Sequence, residues 1–286
     1  ATYMENVIYP NSFHLRTMLS NCNVVTPLTY PEYNIDYPAE IYPYRSALWQ
    51  KFLVESLGDS SIVRYIWEDY GLQYATGDIV SLFPIYSNAV EYVSDKNLSE
   101  AYADYAIWRY FTGDRSISNM YFNESSSYCT ASTISDFENS FIIPSNKGAS
   151  RFINLPSENM SLNIYTEYPN DIKFSYLKIT QNNEINIENL IEQNNNFYFN
   201  LSPDNENILI VNSNYINTDN MNIDFTISSD FNLLGDINYD GLINVLDVVN
   251  IVNLILVDQY NSNGDLNSDQ ELNIIDIVQL INIILE

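Results

Sequence analysis

The sequence is poor in histidine and cysteine. It has one histidine, His14, and two cysteines, Cys22 and Cys129, in 286 residues. A single histidine excludes a His-Glu-x-x-His zinc helix from this chain, and the Gly-x-Ser-x-Gly nucleophile elbow is also missing. Two cysteines are too few for a disulfide-dense scaffold or a four-cysteine zinc site. His14 has no partner pattern around it, so we interpret it, together with nearby Cys22, as a packed or surface residue rather than a catalytic one.

Positive charge is scarce as well. The chain has 11 Lys and Arg residues against 37 Asp and Glu residues, a formal net charge of -26. Nucleic acids and anionic membrane surfaces bind clustered cations, so the sequence argues against both as partners. No apolar run reaches the roughly 18 residues of a membrane helix, and Ala1–Pro10 has neither the basic start nor the apolar run of a signal peptide. An acid excess is compatible with divalent cations.

Three segments of different character predict an α+β multidomain chain. The first is expected to be a helical body, because apolar residues recur at helical spacing over 46–57, 61–70 and 98–112. Asn97 and Glu100 have the spacing of a capping box at the start of the third helix, and Gly71 is expected to end the second. The middle segment has short runs separated by Asn, Pro, Ser and Asp, which favour a small antiparallel β-sandwich; an ordered spacer is the alternative. The predicted domains cover 1–140, 141–230 and 231–286.

The last segment is an internal duplication. The stretch Gly235–Asp247, GDINYDGLINVLD, aligns with Gly264–Asp276, GDLNSDQELNIID, at a constant offset of 29 residues. An apolar helix is predicted after each copy. A repeat of this length is one supersecondary unit used twice.

Each copy has oxygen-bearing side chains at positions 1, 3, 5, 9 and 12 of a 12-residue loop, with a backbone carbonyl at position 7. Calcium takes six to eight hard oxygen ligands, and loops of this length supply them at these positions. Each loop also brings three carboxylates, whose repulsion a cation would relieve. An acidic turn without metal is the alternative, which two loops in register disfavour. The predicted calcium ligands are Asp236, Asn238, Asp240, Leu242, Asn244 and Asp247 in loop one and Asp265, Asn267, Asp269, Glu271, Asn273 and Asp276 in loop two, with Leu242 and Glu271 acting through their carbonyls.

The two loops differ at position 6, which is Gly241 in loop one and Gln270 in loop two. The sharp turn there prefers glycine, and a left-handed residue with a side chain costs on the order of 1–2 kcal/mol. We therefore expect the second site to bind calcium more weakly than the first. The helices that follow are rich in Val and Ile, which have modest helix propensity, so folding of 231–286 is expected to depend on the metal.

The paired pattern Gly-Asp-x-Asn-x-Asp-Gly-x-[Ile/Leu]-Asn-x-x-Asp resembles a type I dockerin over 231–286. The resemblance implies an all-α C-terminal dockerin with two calcium sites and a cohesin-like module as its partner. Dockerins of this family tether secreted enzymes, often polysaccharide-degrading ones, to a scaffold or cell surface. Loop positions 10 and 11 are Val245-Leu246 and Ile274-Ile275, where cellulosomal dockerins often carry hydroxyl residues. The identity of the partner is therefore open, and a partner within the same chain is an alternative.

The first segment is similar to the helical C-terminal half of a family of secreted bacterial metallopeptidases. In that family a His-Glu-x-x-His zinc helix and a third glutamate ligand precede a segment like Ala-Thr-Tyr-Met-Glu. The resemblance implies Zn²⁺ only in a longer parent chain, and it assigns no catalytic or cofactor-binding residue here. The matching stretches are Ala1–Pro10, Tyr42–Leu53, Ile62–Trp67 and Ala106–Gly113.

Together these patterns predict a calcium-dependent docking protein in an extracellular or cell-surface bacterial assembly. Whether the parent protein is an enzyme stays open. A zinc metallopeptidase, a glycoside hydrolase or carbohydrate-binding component of polysaccharide degradation, and a structural tether are the alternatives. Aromatic residues that could form a sugar platform, but that we interpret first as core or strand residues, are Tyr165, Tyr168, Tyr176, Phe197 and Tyr198.

Overall fold

The computed structural model of the chain describes residues 2–8, 14–35, 37, 47–58, 60–77, 82–134, 140–144, 148–158, 160–213, 222–228, 234–238 and 243–285. The helices of the first part are α1 (Thr2–Ile8), α2 (His14–Leu19), α3 (Ala47–Leu57), α4 (Ser61–Ala75), α5 (Leu82–Val93) and α6 (Leu98–Tyr110). The strands are β1 (Ser140–Pro144), β2 (Ser150–Leu155), β3 (Ser161–Tyr165), β4 (Ile172–Ile179), β5 (Ile185–Asn189), β6 (Glu192–Gln193), β7 (Asn196–Asn200), β8 (Glu206–Ser213) and β9 (Asn222–Ser228). Two further helices follow, α7 (Val245–Leu256) and α8 (Ile274–Leu285).

The capping box predicted for α6 is confirmed. The Asn97 side chain accepts a hydrogen bond from the Glu100 N–H at 3.0 Å, and the Glu100 carboxylate accepts one from the Asn97 N–H at 2.8 Å. The predicted end of α4 at Gly71 is wrong, because the helix continues to Ala75. A helical glycine costs only about 1 kcal/mol. The next turn is held by contacts within the helix: the Gln73 amide donates to Asp69 at 3.2 Å, and the ring of Tyr74 stacks on that of Tyr70.

The strands form two antiparallel sheets. The four-stranded sheet has the order β2-β8-β4-β5, and the five-stranded sheet has the order β1-β9-β3-β7-β6. Apolar residues from both sheets meet in one core, which includes Ile153, Phe174 and Leu209 from the first sheet and Ile164 and Phe199 from the second. The two sheets therefore pack face to face.

The four-stranded sheet is buried on its other face too. Phe152, Leu177, Ile208 and Ile210 belong to the core of the helical part, together with residues of α3–α6. For this reason all of β8 after Glu206 is buried, and its burial does not alternate. The helices, the four-stranded sheet and the five-stranded sheet thus form three layers around two cores.

The predicted fold class, an α+β multidomain chain with a helical body, a small antiparallel β-sandwich and an all-α dockerin, is wrong. The middle of the chain is β-rich, and the helical body shares its core with one of the sheets. The C-terminal part is not clearly an all-α dockerin: its described residues are helical over Val245–Leu256 and Ile274–Leu285, whereas 234–238, 243–244 and 257–273 lie in turns and irregular backbone. In these stretches backbone N–H groups donate to buried aspartates such as Asp247 and Asp276 instead of continuing a helix. The domain boundaries at 140 and 230 stay predictions.

A disulfide bond joins Cys22 and Cys129, which are 107 residues apart in the sequence. It connects the turn after α2 to the segment after the short 3-10 helix Ser125–Ser127. The sequence pattern did not predict this pairing. Within the part of the chain that the structure describes, no helix has the length and apolar character needed to cross a bilayer.

Candidate metal and docking site

The aspartates at position 12 of the two loops have equivalent, fully buried positions. Asp247 Oδ1 accepts hydrogen bonds from the N–H groups of loop positions 2 and 3 at 2.8 and 3.2 Å, and Oδ2 accepts one from the Asn244 N–H at 2.9 Å. Asp276 repeats the three bonds at 3.0, 3.4 and 2.9 Å. Each aspartate therefore ties the start of its loop to the start of the helix that follows.

The asparagines at position 9 are placed at the helix N-termini. Asn244 Oδ1 accepts a hydrogen bond from the Leu246 N–H at 2.8 Å, and with Asp247 it completes a capping box for α7. Asn273 Oδ1 makes the same bond with the Ile275 N–H at 2.8 Å. In both loops the oxygen predicted as a ligand is thus used as a helix cap.

The aspartates at position 1 are also buried. In loop two, Asp265 accepts hydrogen bonds from the Tyr260 hydroxyl at 2.9 Å and from the N–H groups of Asp269 and Gln270 at 3.0 and 2.8 Å. Burial acts to raise the pKa of Asp265, but the Tyr260 bond and the backbone N–H groups of 268–270 outweigh it and hold the pKa below its usual value. Asp265 is therefore kept as a carboxylate, which is the form that binds cations. Tyr260 was not predicted as part of the site.

The middle of loop two is more exposed. The Asn267 amide donates to Asp269 Oδ2 at 2.6 Å, and Asp269 Oδ1 accepts from the Glu271 N–H at 2.9 Å. Gln270, at position 6, has a φ of 68°, so the left-handed turn expected there is present without a glycine. In loop one, Asp236 is buried and Asn238 is exposed, whereas Asp240, Gly241 and Leu242 lie outside the described residues.

The donor set of loop two consists of oxygen atoms alone, with buried carboxylates at both ends. Hard oxygen ligands suit calcium and do not suit zinc in its usual sites, so the chemistry of these residues fits Ca²⁺. In the part of the chain that is described, no three His, Cys, Asp or Glu side chains lie together as a metal-holding group. The twelve predicted ligands therefore stay a prediction, supported by residue chemistry rather than by convergence of the carboxylates.

The two repeats pack closely against each other. A Cβ on Gly235, whose φ is 105°, would lie 3.0 Å from the Leu280 side chain, and a Cβ on Gly264 would lie 3.2 Å from the Ile237 side chain. Ile237, Ile251 and Leu280 form the buried centre of the pair. Gly235 thus faces the other repeat, whereas the nearest neighbour of a Cβ on Gly264 is the Leu272 side chain of its own repeat, at 2.7 Å.

Both C-terminal helices expose the same row of apolar side chains. On each helix the row has the spacing i, i+1, i+4 and i+11, which places all four side chains on one face. Every one of them is more than half exposed. We call these two rows together the apolar face; they consist of Val245, Leu246, Val249 and Leu256 on α7 and Ile274, Ile275, Val278 and Leu285 on α8.

Outside the repeats, the sequence singled out Cys22, His14 and five aromatic residues. Cys22 is used in the disulfide, and His14 lies exposed on α2. Of the five candidate platform aromatics, Tyr176 and Phe197 are buried and only Tyr165 is clearly exposed. The interpretation of Tyr176 and Phe197 as core residues is confirmed.

Comparison with protein-family models and with curated proteins finds no match. Among solved structures, the chain has a likeness to the pre-peptidase C-terminal domain of a collagenase from Bacillus anthracis. The likeness has 18% sequence identity and a TM-score of 0.22, and it covers 32% of this chain and 87% of that domain. A likeness this weak establishes neither the fold nor the function.

Proposed function

We propose that this chain is a calcium-dependent docking protein of an extracellular bacterial assembly, and that its C-terminal repeats bind a cohesin-like module. The observation that carries the proposal is the apolar face, which repeats the same four exposed positions on α7 and α8. Large contiguous apolar surfaces are rare on monomers and mark interaction sites. Since the residues recur at an offset of 29, the surface belongs to the duplicated unit and not to a chance cluster.

The composition of the face defines the chemistry of the partner. All eight side chains are aliphatic, so they offer apolar area but no hydrogen bonds. A partner that covers them must present a complementary apolar surface, as protein modules do. A polysaccharide, which is rich in hydroxyl groups, would lose hydrogen bonds to water on this surface without replacing them.

The dependence on calcium follows from how the helices begin. Asp247 and Asp276 belong to the first turns of α7 and α8 and are also predicted ligands at the ends of the loops. Their carboxylates bind the backbone of the loop start, so loop and helix can only be ordered together. A bound cation would relieve the repulsion among the carboxylates of each loop, and its removal would release both helix starts and the apolar face.

The disulfide between Cys22 and Cys129 supports an extracellular location, because such bonds persist in oxidising compartments and are rare in the cytosol. The metallopeptidase resemblance of the first segment adds no residue to this proposal and stays a prediction.

The proposal can be tested by binding measurements on the purified chain. Isothermal titration calorimetry with CaCl₂ should give two bound ions per chain. Surface plasmon resonance against a panel of recombinant cohesin-like modules should give binding with calcium and none with EDTA. The double substitution Val249→Asp/Val278→Asp should weaken that binding by roughly a hundredfold or more, because it places a charge within the exposed apolar row of each helix.

The matched control is Leu72→Asp/Ile191→Asp, which makes the same chemical change at exposed apolar positions outside the repeats. It should bind like the parent chain. Failure to bind calcium would contradict the metal part of the proposal. Binding of calcium without binding to any module of the panel, or equal loss in both double variants, would contradict the docking part.

A further inference from the structure

Strand β5 forms one edge of the four-stranded sheet. It pairs with β4 along one side, and among the strands that the structure describes none pairs with its other side. The opposite edge of the same sheet, β2, is covered. There the Ser150 N–H donates to the Pro31 carbonyl at 2.8 Å, and Ile134 forms a bridge with Ile153. Of the two edges of this sheet, the one at β5 is therefore open.

The hydrogen bonds between β4 and β5 determine which backbone groups of β5 point away from the sheet. The Leu190 N–H donates to the Phe174 carbonyl, and the Thr180 N–H donates to the Glu184 carbonyl, both at 2.9 Å. In an antiparallel pair the bonded residues alternate, so the residues between them turn their N–H and C=O groups outward. In the register of this pair the outward residues are Ile185, Ile187 and Asn189. Their backbone donors and acceptors are available to an added strand.

The two faces of this edge differ in chemistry, because successive side chains of a strand point to opposite faces. Ile185 and Ile187 are partly buried against the core of the helical layer. On the other face Glu184, which directly precedes β5, and Glu188 are exposed, and neither forms an ion pair with a described residue. Strand β4 brings one lysine to that face, Lys178. An added strand therefore contacts apolar groups on one face and an excess of negative charge on the other.

Clefts between the helical layer and the sheet lie at both ends of β5. The cleft at the start of the strand has a volume of about 430 Å³, and its apolar lining comes from Phe111, Ile117, Ile179 and Ile185. The cleft at the end of the strand has a volume of about 550 Å³ and includes Asn189. Side chains of an added strand on the helical side can therefore enter cavities that are already formed.

Negative charge predominates in both clefts. The first is lined by Asp114 and Glu206 and by one cation, Arg115, which already donates to a backbone carbonyl. The charged lining of the second consists of Asp95, Glu100, Asp104 and Glu192 with Lys96 and Lys173. Electrostatic complementarity therefore favours a basic partner. It disfavours a second copy of this chain, which has a net charge of -26 and would bring its own glutamates to the same edge.

We propose that the open edge of β5 binds an extended segment of a partner protein in which apolar residues alternate with Lys or Arg. The segment adds an antiparallel strand to the sheet and exchanges backbone hydrogen bonds with Ile185, Ile187 and Asn189. Its apolar row lies on the helical side, and its basic row pairs with Glu184 and Glu188. Backbone bonds give such complexes their affinity, and alternate side chains give them their specificity. The site uses no residue of the calcium loops and does not depend on the proposed function.

Fluorescence anisotropy with synthetic peptides tests the proposal on the full chain. The probe is the labelled peptide Lys-Val-Lys-Val-Lys-Val-Lys, which has the proposed alternation. The first comparison peptide, Lys-Lys-Lys-Lys-Val-Val-Val, has the same composition and charge without the alternation. The second is the alternating peptide with N-methylated valines, which keeps the charges but loses the N–H groups that would donate to β5. Both should bind at least roughly tenfold more weakly than the probe, because neither can form the paired strand with one basic face.

Charge reversal on the edge tests the assignment to β5. Glu184→Lys/Glu188→Lys should weaken binding of the alternating peptide roughly tenfold or more, because two cross-strand pairs change from attraction to repulsion. The matched control, Glu68→Lys/Glu91→Lys, makes the same charge change at exposed positions on α4 and α5 and should leave the affinity almost unchanged.

Hydrogen exchange at single residues gives a readout that needs no substitution. In the free chain the outward N–H groups of Ile185, Ile187 and Asn189 should exchange faster than those of Asn186 and Glu188, which donate to β4. The alternating peptide should slow exchange at the three outward groups.

Equal binding of the three peptides, or equal loss of binding in both double variants, would show attraction by the charge of the whole chain and would overturn the proposal. Unchanged exchange at the outward groups in the presence of bound peptide would place the peptide elsewhere and overturn it as well. Outward groups that are already protected in a free chain that sediments as a dimer would assign the edge to a second copy instead.

Discussion

Arg109 donates a hydrogen bond from Nη2 to the Ser150 hydroxyl at 2.5 Å, and this contact joins α6 to the first residue of β2. The same guanidinium donates to the carbonyls of Pro27, Pro31 and Gly148 at 3.1, 3.4 and 3.0 Å. Arg109 is buried and lies over the ring of Tyr105 at 4.4 Å. One side chain thus fixes the backbone at Pro27 and Pro31, the helical layer and the four-stranded sheet to each other.

Replacement of Arg109 by methionine should destabilise the helical layer and the sheets together. Arg109→Met removes the side-chain donor from the buried carbonyls of Pro27 and Gly148, whereas the Pro31 carbonyl keeps the Ser150 N–H at 2.8 Å. The free energy of unfolding should therefore fall by about 3 kcal/mol or more. Urea unfolding followed by circular dichroism and tryptophan fluorescence measures the loss. Arg64→Met is the matched control, because Arg64 forms an exposed ion pair with Glu68 and should contribute almost nothing. Similar losses in both variants would contradict the role of Arg109.

Contacts between residues that are close in the sequence could be predicted. The spacing of Asn97 and Glu100 predicted a cap because both partners lie within one turn of helix. Helix α5 was not predicted. Pro84 lies in its first turn, where the missing N–H of proline leaves no helical hydrogen bond unmade. The regular spacing of the loop oxygens likewise predicted the candidate ligands. It did not predict that Asn244 and Asn273 cap the helices or that Asp247 and Asp276 accept hydrogen bonds from the backbone.

Contacts between distant segments could not be predicted in this way. The pairing of Cys22 with Cys129 and the contact of Asn263 with Asp236 depend on how separate segments pack. The sharing of one core by the helices and the four-stranded sheet is a partial exception. The run Ile208–Val211 is apolar without alternation, which is typical of a strand buried on both faces.

Loss of the disulfide should lower stability substantially. In the chain-entropy description, a bond that closes a segment of 107 residues restricts the unfolded chain and stabilises the fold by up to about 5 kcal/mol. The double substitution Cys22→Ala/Cys129→Ala should therefore unfold at a lower urea concentration than the oxidised parent chain. Reductant should shift the parent chain toward the double variant and leave the variant unchanged. Equal midpoints for the oxidised parent and the variant would contradict the contribution of the bond.

Alkaline pH should destabilise the chain through Tyr105. The residue is fully buried, and burial raises the pKa of its hydroxyl to about 12, although Arg109 acts to lower it. In the unfolded chain a tyrosine ionises near pH 10, so the contribution of Tyr105 is complete below about pH 10 and is lost as pH rises toward 12. In this window the parent chain should lose on the order of 1 kcal/mol per pH unit more than Tyr105→Phe.

Unfolding free energies of the two chains between pH 8 and 12 measure this difference. Tyr105→Phe should fold well at neutral pH, because the buried Tyr105 hydroxyl has no hydrogen-bond partner among the described residues. Parallel curves for the two chains above pH 10 would mean that Tyr105 ionises as readily in the folded chain as in the unfolded one.

Substitution of Gln270 by glycine should strengthen loop two. Gln270 has a φ of 68°, a conformation that costs a residue with a side chain on the order of 1 kcal/mol, whereas glycine adopts it freely. The substitution keeps the backbone N–H that donates to Asp265 at 2.8 Å, so the loop geometry is preserved. We expect the calcium affinity of loop two to rise about fivefold, which would bring it closer to the affinity of loop one. Calorimetric titration of the parent chain and Gln270→Gly measures the change.

The control for this substitution is Gln259→Gly. Gln259 lies in the connection after α7 and has no positive φ, so glycine there relieves nothing and only adds freedom to the unfolded chain. It should leave calcium affinity unchanged or slightly lower. If Gln270→Gly behaves like Gln259→Gly, the left-handed residue does not limit the second site. Equal affinities of the two loops in the parent chain would refute the expectation that the second site is weaker, because the difference at position 6 would then have no measurable consequence.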